Sequence, residues 1–258
     1  MTRPTFLIAG GQRCGTTSLW HTLNDHPEVY LAQPVTPEPK FFLPDNPESL
    51  ADYEKRHFAS AGNVKAVGEK STSYLEVAGT AGRIAAAYPD IRIVFLLRHP
   101  VERAVSNYLF SVAHGFESRA AAAALAGQGE PAFDESQVRF VSPYSYIRRG
   151  LYAELLRPYQ QEFPAEQLQI LFFDDLVDDL AGLCQKLFEF LGVESEFRIP
   201  SPGTVANRGP EWTPMISDST LETLIETFRE SNTEIAKLTG RDLAAWNRAS
   251  DRLLQCVF

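Results

Sequence analysis

Thr5-Phe-Leu-Ile-Ala-Gly10-Gly-Gln-Arg-Cys-Gly15-Thr-Thr17 opens as a short apolar run, turns through glycines and leads into Leu19, Trp20 and Leu23 at helical spacing, ahead of His26-Pro27. The run predicts a buried strand and the spacing predicts a helix, so the glycines lie in a tight strand-to-helix turn. Gly10, four residues, Gly15 and two threonines is the spacing of a phosphate loop. The physical reason is direct. Backbone N–H groups at a helix N-terminus have no partner inside the helix, and the helix dipole adds positive potential there. Glycines let that backbone approach an anion closely. Gly11, Gln12, Arg13, Cys14, Gly15, Thr16 and Thr17 are therefore the candidate anion-binding residues.

Two departures from a nucleoside-triphosphate loop stand out. Thr16 occupies the place of the usual lysine, leaving Arg13 as the basic side chain of the loop. The strongest strand, Ile91-Arg-Ile-Val-Phe-Leu-Leu97, runs into Arg98-His99 with no acidic residue to hold a magnesium ion. The loop thus reads as built for an anion without a metal, and no metal ligand set is expected. Arg98 lies at the C-terminal end of that strand, where open α/β sheets bind ligands. Ser106 follows eight residues later, about two turns into the next helix, so both could meet one phosphate.

Outward from these segments the chain alternates strand and helix. Lys65–Glu69 and Leu168–Phe173 read as further strands; 50–58, 79–88, the segment after Pro100 and the segment through Leu191 read as helices. Alternation of this kind predicts an α/β fold, a central parallel sheet with helices on both faces. No Gly/Ser-rich linker interrupts it, so residues 1–258 are expected to form one domain. The segment His114–Ser142 is the least regular, with a run of alanines at 120–124, and reads as a flap or an inserted helix.

Composition narrows the function. The net charge of −9 argues against nucleic acid or another polyanion as main partner. No apolar stretch is long enough to span a membrane, and the apolar run near the start is too short for a signal peptide. Cys14, Cys184 and Cys256 are odd in number and far apart, which suits a reducing, cytoplasmic setting. Nothing in the composition sets the oligomeric state.

Taken together, the motifs resemble those of the sulfotransferases that use 3′-phosphoadenosine 5′-phosphosulfate (PAPS), and within them the heparan sulfate glucosaminyl 3-O-sulfotransferase and N-sulfotransferase branch. Gly11–Thr17 is similar to that family's 5′-phosphosulfate loop, with Arg13 in place of a lysine and Cys14 in place of a small residue. His26-Pro-Glu-Val29, Pro39-Lys-Phe-Phe42, Gly68-Glu-Lys-Ser-Thr-Ser-Tyr74, Arg98-His-Pro-Val-Glu-Arg-Ala-Val-Ser106 and Asn207-Arg-Gly209 follow in the family's order. The resemblance implies a P-loop-like PAPS sulfotransferase fold, with PAPS as co-substrate and 3′,5′-ADP as product. It places the 3′-phosphate at Arg98 and Ser106, and Tyr152, Arg208 and Gly209 near the nucleotide. Glu69 would be the catalytic base, Arg13 would stabilise the leaving group, Lys70 would touch the sulfuryl oxygens or pair with Glu69, and His114 would face the acceptor. That acceptor is a hydroxyl or amine of a small molecule or carbohydrate. The competing readings are a P-loop kinase or NTPase, and a nucleotide-binding protein without catalysis.

Overall fold

A computed structural model describes residues 2–129, 142–199 and 216–248. The elements in chain order are β1 Phe6–Gly10, α1 Thr16–Asn24, β2 Val29–Leu31, α2 Leu50–Phe58, β3 Ala66–Lys70, α3 Thr80–Ala87, β4 Arg92–Leu97, α4 Pro100–Ala113, α5 Ala121–Leu125, α6 Tyr152–Glu162, β5 Leu168–Phe172, α7 Phe173–Asp178, α8 Leu180–Leu191 and α9 Asp218–Thr239. The fold is α/β, a five-stranded sheet in the order β2-β3-β1-β4-β5, flanked by helices. Every pairing is parallel. β1 and β3 are buried along their whole length; the apolar sequence of β1 suits a central parallel strand, whereas β3 also buries Glu69 and Lys70, each with polar partners. After β3 the chain crosses to the far side of β1, so the topological switch lies beside β1, and ligands of such sheets bind at the C-terminal ends of the strands there.

The described chain groups into two compact units, each made of two chain segments. The first comprises Met1–Leu97 and Pro158–Ala206 and carries the sheet. The second comprises Arg98–Arg157 and Asn207–Phe258. Its apolar core joins α4 to α5 and α9 through Val101, Val105, Leu109, Leu125, Leu224 and Phe228. Because both units are discontinuous, no single linker in the sequence could mark them.

Three elements differ from the sequence reading. β2 is only three residues long, too short to show a period. The helix expected through Leu191 is broken in two at Asp179, whose carboxylate accepts the Gly182 N–H and starts α8. Within the irregular segment after His114, α5 is a short helix packed on α4. No helix among the described residues is long and apolar enough to cross a membrane.

Candidate active site

The turn after β1 is shaped by its glycines. Gly10 has φ 154°, and a Cβ there would lie 2.7 Å from Leu75 Cβ; Gly15 has φ 90°, and a Cβ there would lie 2.8 Å from the Phe173 ring. Neither position accepts a side chain without displacing packed neighbours. Gly11 N–H donates to Leu96 O at 2.9 Å, tying the turn to β4. Gly15 caps α1 without a side chain, and the first turn-to-turn bond of the helix runs from Leu19 N–H to Gly15 O at 3.0 Å. The amides of Thr16 and Thr17 precede that bond and are the N-terminal donors of α1. Arg13 holds a left-handed conformation, φ 64°. Cys14 is buried, its thiol directed at Gln12 O, so packing rather than reactivity explains it. Gln12 Oε1, an acceptor, is buried without a hydrogen-bond partner, which is uncommon in native proteins. The glycine-shaped turn and the first-turn amides of α1 fit an anion held by backbone.

The segment after β3 lies against this turn. Ser71 N–H donates to Ile8 O at 3.1 Å and Leu75 N–H to Ala9 O at 2.9 Å. Here the Lys70 ammonium pairs with the Glu38 carboxylate, a residue the sequence reading does not single out. Thr72 completes the hold on Glu38: its N–H donates to Oε2 at 3.1 Å and its hydroxyl lies 3.1 Å from both oxygens. The Lys70 side chain is 4% exposed and that of Glu38 is 13% exposed, so the pair sits at the edge of the interior with Glu38 outermost.

Glu69 is placed differently. It is 0% exposed, and three hydroxyls donate to it: Tyr74 at 2.7 Å and Tyr53 at 3.3 Å to Oε1, Ser71 at 2.9 Å to Oε2. Burial pushes its carboxyl up to about 7, the hydroxyls of Tyr74, Ser71 and Tyr53 pull it back, and the charge of Glu38 adds to the rise. Tyr53 and Tyr74 are themselves driven well above the usual phenol range, first by burial and then by the Glu69 charge. Lys70 does not pair with Glu69; its ammonium meets Glu38 instead.

In the second unit Arg98 directly follows β4. Its Nε donates to Glu102 Oε2 at 3.2 Å, and its backbone is gripped by Tyr152, whose hydroxyl donates to Arg98 O at 2.8 Å. Glu102 and Ser106 stand four residues apart in α4 and so share one face. His99 caps α4 through Nδ1, which accepts the Val101 N–H, and Pro100 fills the first helical position. His114 is exposed at the other end of α4, its Nδ1 donating to Phe110 O at 2.8 Å. Arg208 and Gly209 lie outside the described residues. Among the described residues no group of three or more His, Cys, Asp and Glu side chains is arranged to hold a metal ion.

Residues 56–197, more than half of the chain, match the sulfotransferase family profile. The chain belongs to the sulfotransferase family. The sulfotransferase is 30% identical over 197 residues to the mouse heparan sulfate glucosamine 3-O-sulfotransferase 3B1, covering 74% of this chain and 46% of that one. It is 27% identical over 280 residues to the human bifunctional heparan sulfate N-deacetylase/N-sulfotransferase 3, covering 95% of this chain and 31% of that one. The sulfotransferase thus spans about half or less of the length of these curated relatives. A crystal structure of a sulfotransferase from Alicyclobacillus acidocaldarius superimposes with a TM-score of 0.81 at 29% identity, over 96% of this chain and 100% of that one. The resemblance seen in the motifs and the fold expected from it are both met.

Proposed function

We propose that this protein transfers a sulfuryl group from PAPS to a hydroxyl or amine of a carbohydrate or small-molecule acceptor, with Glu38 as the base. The observation that carries the reading is the Glu38 carboxylate held by Lys70 and Thr72 directly beside the glycine turn. The acceptor oxygen or nitrogen attacks sulfur in line and forms the new bond to it. The bond from sulfur to the bridging oxygen of the 5′-phosphate breaks, and its electron pair stays on that oxygen. The acceptor proton goes to Glu38. Arg13 and the first-turn amides of α1 meet the charge that grows on the leaving phosphate, and Lys70 faces the sulfuryl oxygens while orienting Glu38.

Between the two carboxylates geometry favours Glu38 over Glu69. A base must come within hydrogen-bond reach of the proton it removes. Glu69 has no exposed surface and both its oxygens are taken by hydroxyls, whereas Glu38 is partly exposed. Arg98 and Ser106 are assigned to the 3′-phosphate by their motif, with Tyr152 acting on Arg98 through its backbone rather than on the nucleotide. The relatives whose names specify glucosamine support a sugar acceptor. One domain function over the whole chain is part of the same proposal.

The test is calorimetry followed by transfer. 3′,5′-ADP should bind in the presence of EDTA and more tightly than 5′-AMP; equal affinities would remove the 3′-phosphate site. Glu38→Gln should then keep 3′,5′-ADP binding, which also reports that it folds, and lose about 10²-fold or more in transfer of labelled sulfuryl to a panel of amino sugars, alcohols and phenols. Full transfer by this variant would show that Glu38 takes no proton.

A further inference from the structure

Glu69 is a buried carboxyl that the proposed transfer does not use, yet it sits at the meeting point of two hydrogen-bond relays. Lys40 N–H donates to Ser71 Oγ at 2.8 Å, and Ser71 donates to Glu69 Oε2. Phe42 N–H donates to the Tyr74 hydroxyl at 3.4 Å, and Tyr74 donates to Glu69 Oε1. A hydroxyl carries a single proton. While each one accepts a backbone N–H, its own proton is committed to the carboxylate, so both relays run one way, from the loop into Glu69. The third donor, Tyr53, touches Glu69 with its hydroxyl but reaches this loop only with its ring, stacked on Phe41 at 4.2 Å.

The loop so held begins at Glu38. Lys40 has φ 53°, the left-handed region, which a residue with a side chain keeps only where its surroundings impose it. We infer that Glu69 is a positioning residue, whose carboxylate fixes residues 40–42 through Ser71 and Tyr74 and thereby sets the Glu38 carboxylate against Lys70 and Thr72. Arg83 Nε donating to Phe42 O and Asn46 Nδ2 donating to Phe41 O hold the same loop from other sides, so loss of the relays loosens it without melting it.

The relays depend on the ionised form. A protonated Glu69 brings an O–H of its own, which must take one hydroxyl oxygen as acceptor and turn that hydroxyl round. The titratable and charged groups facing it are Tyr53 from α2, Tyr74 after β3 and Glu38 from the loop, while Lys70 points to the other face of β3 and pairs with Glu38. Its catalytic consequence rests on Glu38 being the base; the geometric statement does not.

The experiment follows amide exchange at Lys40 and Phe42 by NMR at pH 8 together with kcat and 3′,5′-ADP affinity. Glu69→Gln keeps the volume but supplies an NH2 donor. It should speed exchange at both amides by about ten-fold, the loss of a hydrogen bond. Ser71→Ala should do so at Lys40, Tyr74→Phe at Phe42, and Tyr53→Phe at neither. The first three should lower kcat by about ten- to a hundred-fold, as misplaced groups do, with 3′,5′-ADP affinity within about two-fold; Tyr53→Phe should keep kcat. Wild-type kcat should also rise through about pH 7, a step that Glu69→Gln lacks. Retained protection in Glu69→Gln overturns the inference, as does lost turnover in Glu69→Gln with full turnover in Ser71→Ala and Tyr74→Phe, which makes Glu69 itself the base. Lost protection alongside a fully active Glu38→Gln supports the positioning of the loop and sinks Glu38 as the base.

Discussion

Glu69→Gln changes how stability depends on pH, and the sign can be worked from the structure. In the unfolded chain the carboxyl titrates near 4.5; in the folded chain burial holds its proton until about pH 7. Between these values the native state binds the proton more tightly than the unfolded state. Stability therefore falls as pH rises through this window, in contrast to an ion-paired acid with a depressed value. Each pH unit across the window is worth about 1.4 kcal/mol per proton, so the whole rise amounts to ~3 kcal/mol. The group is fully buried, and solvent screening takes little from that figure. Glutamine does not titrate. Urea unfolding of wild type and Glu69→Gln at intervals from pH 5 to pH 8 gives the difference between them, in which the other groups of the protein largely cancel. That difference should shift by ~2–3 kcal/mol against the wild type on going from pH 5 to pH 7.5 and level off above. The m-values should agree, since the two proteins bury similar surface. A difference that stays flat across the range would refute the argument: Glu69 would then be ionised throughout, with its three hydroxyl donors outweighing the loss of water.

With Arg98 at the 3′-phosphate as proposed, Arg98→Ala should weaken 3′,5′-ADP binding by about 1.5–3 kcal/mol in calorimetry, leaving 5′-AMP binding nearly unchanged. Gly15→Ala places a Cβ 2.8 Å from the Phe173 ring in a left-handed backbone position, so both nucleotides should bind more weakly by the same assay and the protein should unfold at lower urea.

Much of the fold can be read from the chain because its signals are local. β1 and β4 are apolar runs bounded by turn residues, Pro100 opens α4, and the glycine spacing after β1 requires a backbone turn that few other sequences make. α9 is equally visible: Leu221, Leu224, Ile225, Phe228 and Ile235 stand on one face behind the capping Ser217, and the sequence reading stops short of it. β2 is not visible, since three residues carry no period; it exists because Val29–Leu31 can pair with Ala66–Gly68. The glycine turn after β1 and the place of Arg98 at the end of β4 were legible for the same local reason, each being a strand end followed by a helix start.

Glu38 was not legible, and the reason lies in the pleat of β3. Adjacent Glu69 and Lys70 invite pairing when read as a string, but successive side chains of a strand point to opposite faces. Gly68 and Lys70 share one face, where the missing Cβ of Gly68 makes room for the Phe6 ring. Glu69 lies on the other, among the hydroxyls of Tyr53 and Tyr74. The ammonium of Lys70 is thus turned away from its neighbour and meets a carboxylate 32 residues earlier, in a loop with no periodicity to announce it. The sequence around Phe41-Phe42 marks that loop as a packed segment, because paired aromatics need an apolar bed, which Tyr53, Tyr74 and Tyr88 supply. The acid three residues before such a pair is carried to Lys70 by that packing. Two acids therefore stand in opposite situations, Glu38 partly exposed with a cation and Glu69 sealed in with hydroxyls, a separation that under the proposed mechanism lets the first exchange a proton while the second holds the loop that carries it.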